Sequence, residues 1–210
     1  MLLQGNQGQS GKQVGQNLTA GFGEFSDLLV TELMPCYYEQ TYRGNKYSVT
    51  WTAAALAAAA SASSFVLSNP PNSGKNLVLI DSYVALTSYI AQTLIGTAAI
   101  LGAAPNFVSP LSASSGPLTP VNTLIGSGNN SVAKAFATAT LGVVPVAIRT
   151  LAAWVMGTAT PGGDAVGCVG NDMKGIIIVA PGSAICIFGL GGAAADLTIQ
   201  PTLTWDEVPV

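Results

Sequence analysis

Short apolar runs separated by turn-forming clusters recur along this chain, and that alternation restricts the fold more than any other feature. In the clearest case, Asn69-Pro70-Pro71-Asn72-Ser73-Gly74 follows the apolar run 65–67 and leads directly into a second run, 77–80. Clusters rich in Asn, Pro and Gly reverse the chain, and branched apolar runs between them are typical of buried strands. The segment therefore predicts strand, turn and strand, which we interpret as a hairpin.

This interpretation gives a place to the residues that follow the turn. Lys75 is expected at the surface or at a subunit contact, because it lies at the tip of the hairpin. Successive side chains of a strand point to opposite faces. Either Leu77 and Leu79 or Val78 and Ile80 are therefore expected to face the interior.

The alternation continues to the last residue of the sequence. The run 175–179 is predicted to be a fully buried strand, and turn signals separate it from the runs 184–189 and 197–210. Three further apolar runs precede it, at residues 136–141, 143–151 and 154–156. The pattern contains no long amphipathic helix. We therefore predict an all-β fold, an antiparallel β-sandwich of jelly-roll type.

The beginning of the chain has a different composition. Up to about residue 23 it is rich in Gly and Gln, with too little apolar surface to offset the entropy lost on ordering. A helical spacing of apolar residues then predicts a short helix that Pro35 ends. We interpret residues 1–36 as an extended N-terminal arm and residues 37–210 as the β-sandwich domain. A disordered tail is the alternative for the arm.

Two segments are compatible with more than one secondary structure. Residues 37–48 are rich in tyrosine and contain Gly44-Asn45, so we interpret them as a strand pair with a hairpin turn, used for packing or as a binding surface. Residues 53–64 are rich in alanine and favour a helix by propensity alone. Because both flanks of 53–64 are β-type, we choose strands joined by an Ala/Ser loop.

Charged residues make up only 8% of the sequence, against about a quarter in an ordinary soluble domain. So few charges leave most of the exposed surface neutral, which suggests that other subunits cover much of it. Nucleic-acid binding is not expected, because the net charge is −3 and only Arg43 and Lys46 lie close together among the cations. The composition favours a component of an assembly.

A long stretch without any charged residue runs from Ser82 to Ala133. Residues 84–104 are long enough to span a membrane, but they contain several Thr and Ser residues, Gln92 and two glycines. The same residues fit strands at 77–87 and 90–100, followed by a proline-rich connection, and we prefer that interpretation. No secretory signal follows Met1, so we expect the protein to be made in the cytoplasm.

No catalytic, cofactor-binding or metal-binding residues are predicted. The sequence has no histidine, which excludes the usual serine or cysteine nucleophile arrangement and the usual zinc sites. Ser73-Gly74-Lys75-Asn76 lacks the first glycine and the final Ser or Thr of a phosphate-binding loop. Asp206 and Glu207 are expected to point to opposite faces of a solvated chain end, and Asp164 and Asp172 to be turn residues. We therefore expect a protein that is not an enzyme and has no cofactor.

The cysteines, Cys36, Cys168 and Cys186, show no C-x-x-C spacing. An odd number of cysteines suits a reducing compartment. We interpret them as buried small side chains, with a Cys168–Cys186 disulfide as the alternative.

Several motifs resemble those of structural proteins of tailed-bacteriophage virions. They are Tyr38-Glu39 with Tyr42-Arg43-Gly44-Asn45-Lys46-Tyr47-Ser48, Leu67-Ser68-Asn69-Pro70, Ser73-Gly74-Lys75-Asn76-Leu77-Val78-Leu79, Pro181-Gly182-Ser183 and Leu203-Thr204-Trp205-Asp206-Glu207-Val208-Pro209. The chain is similar over residues 37–210 to minor structural proteins, some of which are head cement or decoration proteins. The resemblance brings no catalytic residues with it.

The resemblance implies a capsid cement or decoration subunit that binds the major capsid protein as a homotrimer and stabilises the phage head. Its expected location is the capsid surface of the virion. One alternative is a tail- or fibre-associated virion protein that contacts host glycans through the tyrosine-rich segment. A second alternative is a membrane-associated pore or anchor built on the uncharged stretch 82–133.

Overall fold

A computed structural model describes residues 4–6, 17–19, 37–89, 95–104, 117–156, 167–191 and 197–210, and strands make up most of these described residues. The only helix within these ranges is α1 (Tyr38–Tyr42). The strands are β1 (Gln4–Asn6), β2 (Asn17–Thr19), β3 (Lys46–Thr50), β4 (Ala54–Ala55), β5 (Ala62–Asn69), β6 (Lys75–Tyr89), β7 (Ile95–Ala104), β8 (Pro117–Leu118), β9 (Val121–Asn122), β10 (Lys134–Thr140), β11 (Val146–Met156), β12 (Gly167–Asp172), β13 (Ile178–Val179), β14 (Ser183–Gly191) and β15 (Leu197–Pro209). The prediction of a fold built mainly from β-strands is confirmed for the described residues.

The chain divides into two compact units, Met1–Glu39 and Gln40–Val210. In the first unit β1 pairs with β2 in antiparallel register. The second unit contains two larger antiparallel sheets. One has the strand order β11-β7-β14-β5-β10-β8, and the other has the order β12-β6-β15-β3-β9, with β13 added to β6 and β4 added to β15.

The two larger sheets share one apolar core. Leu79 of β6 and Trp205 of β15 belong to the same buried cluster as Leu67 of β5, Leu101 of β7 and Ile187 of β14. Strands of both sheets therefore contribute alternate residues to one interior, as in a β-sandwich. At roughly 25 cal/mol for each Å² of apolar surface buried, this cluster is the main source of stability.

A second buried cluster lies on the other face of the six-stranded sheet. It contains Val66, Ile100, Cys186 and Phe188, which alternate along their strands with residues of the shared core. Burial on both faces explains why β14 is an almost uninterrupted apolar run in the sequence.

The segment 69–75 contains the predicted turn, and strands flank it on both sides, but the hairpin interpretation is wrong. β5 belongs to the six-stranded sheet and β6 to the seven-stranded sheet, so the turn connects the two sheets. The side-chain Nδ2 of Asn69 donates to the carbonyl oxygens of Lys75 at 2.7 Å and Val179 at 2.8 Å. These two hydrogen bonds hold the connection between the two sheets in place. Leu77 and Leu79 are the pair that faces the core, as one of the two predicted patterns required.

The prediction of a tyrosine-rich strand pair is wrong for its first strand, which is replaced by α1, whereas its second strand is present as β3 from Lys46. Gly44 has φ +69° just after the helix, the left-handed conformation that favours glycine. The Gly44 N–H donates to Thr41 O at 2.9 Å and the Asn45 N–H donates to Gln40 O at 3.0 Å. This is the Schellman pattern of a helix C-terminus, so Gly44 ends a helix rather than forming a hairpin turn.

The run 175–179 is not the fully buried strand that its composition predicts. Only Ile178 and Val179 are in a strand, and the side chains of Ile176 and Ile178 are 74% and 57% exposed. Lys174 and Gly175 have positive φ, and the Met173 and Lys174 N–H groups both donate to Ile80 O. The chain therefore turns beside β6, and within this run only Val179 is fully part of the core, with Ile177 packed against it.

The remaining predictions have mixed outcomes. Strands β4 and β5 with a loop between them confirm the interpretation of residues 53–64, and the apolar runs 143–151 and 154–156 lie largely in one strand, β11. No helix in the described ranges is long and apolar enough to cross a membrane. The predicted helix before Pro35 and the first part of the proline-rich connection, 105–116, lie outside the described residues.

Candidate functional site

The acidic pair near the end of β15 is buried, which corrects the prediction of a solvated chain end. The Glu207 side chain has 0% exposure, and its Oε2 lies 2.9 Å from Lys75 Nζ. Its Oε1 accepts hydrogen bonds from Ser131 Oγ at 2.6 Å and from the Val132 N–H at 2.9 Å. These four residues form what we call the Glu207 cluster, in which both carboxylate oxygens have partners.

Asp206 makes a separate buried ion pair. Its Oδ1 lies 2.8 Å from Lys46 Nζ, and both side chains are at least nine-tenths buried. Lys46 lies directly opposite Asp206 in the β3–β15 register. The two neighbouring carboxylates therefore use different lysines, and the geometry does not bring them together in one acid–base pair.

Lys75 belongs to the Glu207 cluster rather than to a phosphate-binding loop. Its side chain is 30% exposed, and its ammonium group is paired with Glu207. Ser73 Oγ donates to the Lys75 carbonyl oxygen at 3.1 Å, so the hydroxyl stabilises the turn. Asp172, predicted to be a turn residue, is the last residue of β12, and its Oδ1 accepts the Lys174 N–H at 3.1 Å in the turn that follows. Asp164 lies outside the described residues.

Burial raises the pKa of two titratable groups of the core. Desolvation raises the pKa of Tyr47, the negative charge of Glu207 raises it further, and the Tyr47 hydroxyl donates to Asn130 O at 3.3 Å. Desolvation also raises the pKa of the Cys186 thiol to about 11. The Cys186 thiol is therefore protonated at neutral pH, a state in which it is a poor nucleophile.

The cysteine predictions are right for one residue and wrong for another. Cys186 is a buried free thiol, as expected of a small apolar side chain, whereas Cys168 is free and exposed on β12. The alternative of a Cys168–Cys186 disulfide is wrong. Cys36 lies outside the described residues.

A cleft of about 490 Å³ lies beside the Glu207 cluster. Its lining includes Pro117, Pro120, Phe136 and one charged residue, Lys134. Ser131 also lines it, but the Ser131 hydroxyl already donates to Glu207. Among the described residues, no group of three or more His, Cys, Asp and Glu side chains is placed to hold a metal ion.

Exposed branched side chains are the most prominent feature of the surface. One group, which we call the aliphatic edge, precedes and begins β11, and it comprises Val143, Val144, Val146 and Ile148. A second group begins in β9 and continues after it, and it comprises Val121, Leu124 and Ile125. A third group comprises Ile176 and Ile178. Large apolar groups that remain in water mark contact surfaces more often than they serve a free monomer.

Comparisons of the chain with protein-family models, with curated proteins and with solved structures gave no match. The sequence and the geometry of the chain itself are therefore the basis for any functional conclusion.

The sequence did not predict that these three groups of apolar side chains are exposed, because apolar runs are normally interpreted as strands of the core. One signal was available for the aliphatic edge. Pro145 stands in the middle of Val143-Val144-Pro145-Val146, and proline within an apolar β-type run indicates an edge strand or the first residue of a strand. No comparable signal marks Ile176 and Ile178, whose exposure follows from the turn at Lys174 and Gly175.

Proposed function

We propose that this protein is a non-enzymatic capsid cement or decoration subunit of a tailed-phage virion, located on the capsid surface. The observation that carries the proposal is the combination of exposed branched side chains with a sequence that is only 8% charged. A free monomer gains solubility from surface charge, whereas a subunit of a shell buries its apolar surface against neighbours. The resemblance of residues 37–210 to phage structural proteins is the reason for proposing that this assembly is a phage virion.

The mechanism is the burial of apolar surface at the junctions of the shell. Subunits bound to the major capsid protein as a homotrimer bridge neighbouring capsomers, and each interface of standard size buries roughly 1,600 Å². Breaking the shell then requires this surface to be exposed again. Residues 1–36 act as an arm that reaches a neighbouring subunit and adds affinity by linkage.

A rigid subunit suits this role, because a flexible bridge transmits little force. The buried ion pairs of Asp206 and Glu207 lie on β15, in the middle of the seven-stranded sheet. Consecutive strands also change sheets repeatedly, as at β5–β6 and β8–β9. Such crossings support our more specific proposal of a jelly-roll topology.

The role can be tested by deleting the gene from the phage. Particles without the protein are expected to lose DNA at a lower temperature and in more dilute salt than complete particles, and adding the purified protein back is expected to restore resistance. The matched control is complete particles treated in the same way. Particles that lack the protein but withstand heat and low salt equally well would contradict the cement role.

A second candidate is a tail- or fibre-associated virion protein that contacts host glycans. The exposure of Tyr37, Tyr38 and Tyr42 favours it, since exposed aromatic rings offer an apolar face and a polar tip for sugar binding. Immunogold labelling of intact virions distinguishes the two roles. Label over the head supports the cement subunit, and label confined to the tail supports this alternative.

A further inference from the structure

Lys46 and Asp206 are in contact inside the protein, on neighbouring strands. Lys46 Nζ lies 2.8 Å from Asp206 Oδ1, and the two side chains are only 7% and 8% exposed. Lys46 Nζ is not aligned to donate a hydrogen bond to this oxygen, and no other described residue donates one. We propose that the two side chains join covalently, through an amide bond between Lys46 Nζ and Asp206 Cγ.

The backbone on both sides of the pair holds this contact in place. The two residues lie directly opposite each other in the antiparallel β3–β15 register. On one side the rings of Tyr47 and Trp205 are stacked, with centroids 6.4 Å apart. On the other side the Glu207 N–H donates to Asn45 O at 2.8 Å. In well-oriented intramolecular reactions, holding two groups together corresponds to an effective concentration of roughly 10⁵–10⁸ M.

The reaction is a condensation that needs no other reactant. The Lys46 ammonium group first transfers a proton to the Asp206 carboxylate, which gives an amine and a carboxylic acid. The lone pair of Nζ then attacks Cγ and forms the N–C bond, as lysine amines do in covalent catalysis. A second proton moves from the nitrogen to the hydroxyl group. The C–O bond breaks, and this hydroxyl group leaves with the proton as water.

Burial favours the amide over the ion pair. Two charges that are removed from water incur a desolvation penalty, and their attraction offsets it only when further hydrogen bonds satisfy both groups. Asp206 Oδ1 lacks such a hydrogen bond. An amide carries no charge, so the penalty disappears when the bond forms. Burial also keeps out the water that hydrolysis of the amide would need.

The other buried carboxylate of β15 differs in each of these respects. Glu207 Oε2 lies 2.9 Å from Lys75 Nζ, and Glu207 Oε1 accepts hydrogen bonds from Ser131 Oγ and the Val132 N–H. Turning this carboxylate toward an attacking amine would break these hydrogen bonds. The Lys75 side chain is 30% exposed, so water reaches its ammonium group. We therefore expect no amide bond between Lys75 and Glu207.

The proposed bond closes a large covalent loop within one subunit. β3 is the first strand of the second unit and β15 is the last, so the loop of residues 46–206 contains most of that unit. A crosslink between residues far apart in sequence restricts the unfolded chain and so stabilises the fold. The bond forms inside the subunit, and it does not depend on the proposed virion role.

Mass spectrometry of the purified full chain tests the bond. The wild type is expected to be lighter than Lys46→Gln by about the mass of one water molecule, because lysine and glutamine have almost equal masses. Lys174→Gln is the matched control, since it removes the lysine of an exposed ion pair. This control is expected to have nearly the same mass as the wild type. Equal masses of the wild type and Lys46→Gln would overturn the proposal.

Peptide mapping locates the bond in the wild type itself. Trypsin does not cleave after a lysine whose Nζ is part of an amide, so a branched peptide is expected that joins residues 44–75 to residues 175–210. In the Lys46→Gln digest these two peptides are expected to be separate. A wild-type digest in which residues 44–75 and 175–210 are not joined, or a loss of water that maps to another pair of residues, would contradict the bond.

Discussion

Replacing Glu207 with alanine is expected to lower the free energy of unfolding by about 3–5 kcal/mol. The substitution leaves the Lys75 ammonium group without its partner, and it removes the acceptor of the Ser131 hydroxyl and the Val132 N–H. Breaking a buried ion pair by removing one partner is costly, because the desolvation of the remaining groups is no longer compensated. Urea denaturation followed by circular dichroism measures the loss.

An exposed ion pair provides the matched control for Glu207. Lys174 Nζ lies 3.8 Å from Asp172 Oδ2, and both side chains are more than half exposed. Asp172→Ala is expected to cost less than about 1 kcal/mol, since water solvates both the freed Lys174 charge and the exposed Lys174 N–H that also donates to Asp172. If Glu207→Ala and Asp172→Ala have similar small effects, the Glu207 cluster does not hold β15 in place.

Replacing Trp51 with alanine is expected to destabilise the fold by about 3–5 kcal/mol. Trp51 is completely buried and packs edge-on against Phe65, with ring centroids 6.4 Å apart. Its backbone N–H donates to Pro201 O in one sheet, and its indole N–H donates to Phe136 O in the other at 2.9 Å. One residue therefore connects the two sheets by packing and by hydrogen bonds.

Two further variants separate these contributions. Trp51→Phe keeps an aromatic ring but removes the indole donor, and is expected to cost about 1–3 kcal/mol. Ile125→Ala, at a side chain that is 84% exposed, is the control and is expected to change stability by no more than about 0.5 kcal/mol. Circular dichroism is the suitable probe, because Trp51 itself contributes to fluorescence. A Trp51→Ala protein as stable as Ile125→Ala would show that this residue does not link the sheets.

The sequence predicted the elements that depend on local patterns. The turn at 69–75 follows from its Asn, Pro and Gly content, and β14 and β15 follow from apolar runs between turn signals. The hairpin interpretation failed because pairing is not local. β5 finds its partners in β10 and β14, and propensity contains no information about which sheet a strand joins.

The errors at the site have a similar origin. Glu207 was expected in solvent because it lies near the end of the sequence, but its partners Lys75 and Ser131 come from distant segments. Residues 37–42 were expected in a strand because of their tyrosines, yet the Schellman motif at Gly44 stabilises a short helix. Ile176 and Ile178 were expected in the core, since composition alone does not reveal the turn that exposes them.

The number of copies of this protein in a purified virion tests the central claim most directly. A head-lattice subunit follows icosahedral symmetry, so quantitative mass spectrometry against the major capsid protein is expected to give about sixty copies or a multiple of sixty. A value of about three, six or twelve copies would instead match the symmetry of a tail and contradict the cement role. Absence of the protein from purified particles would contradict any virion role.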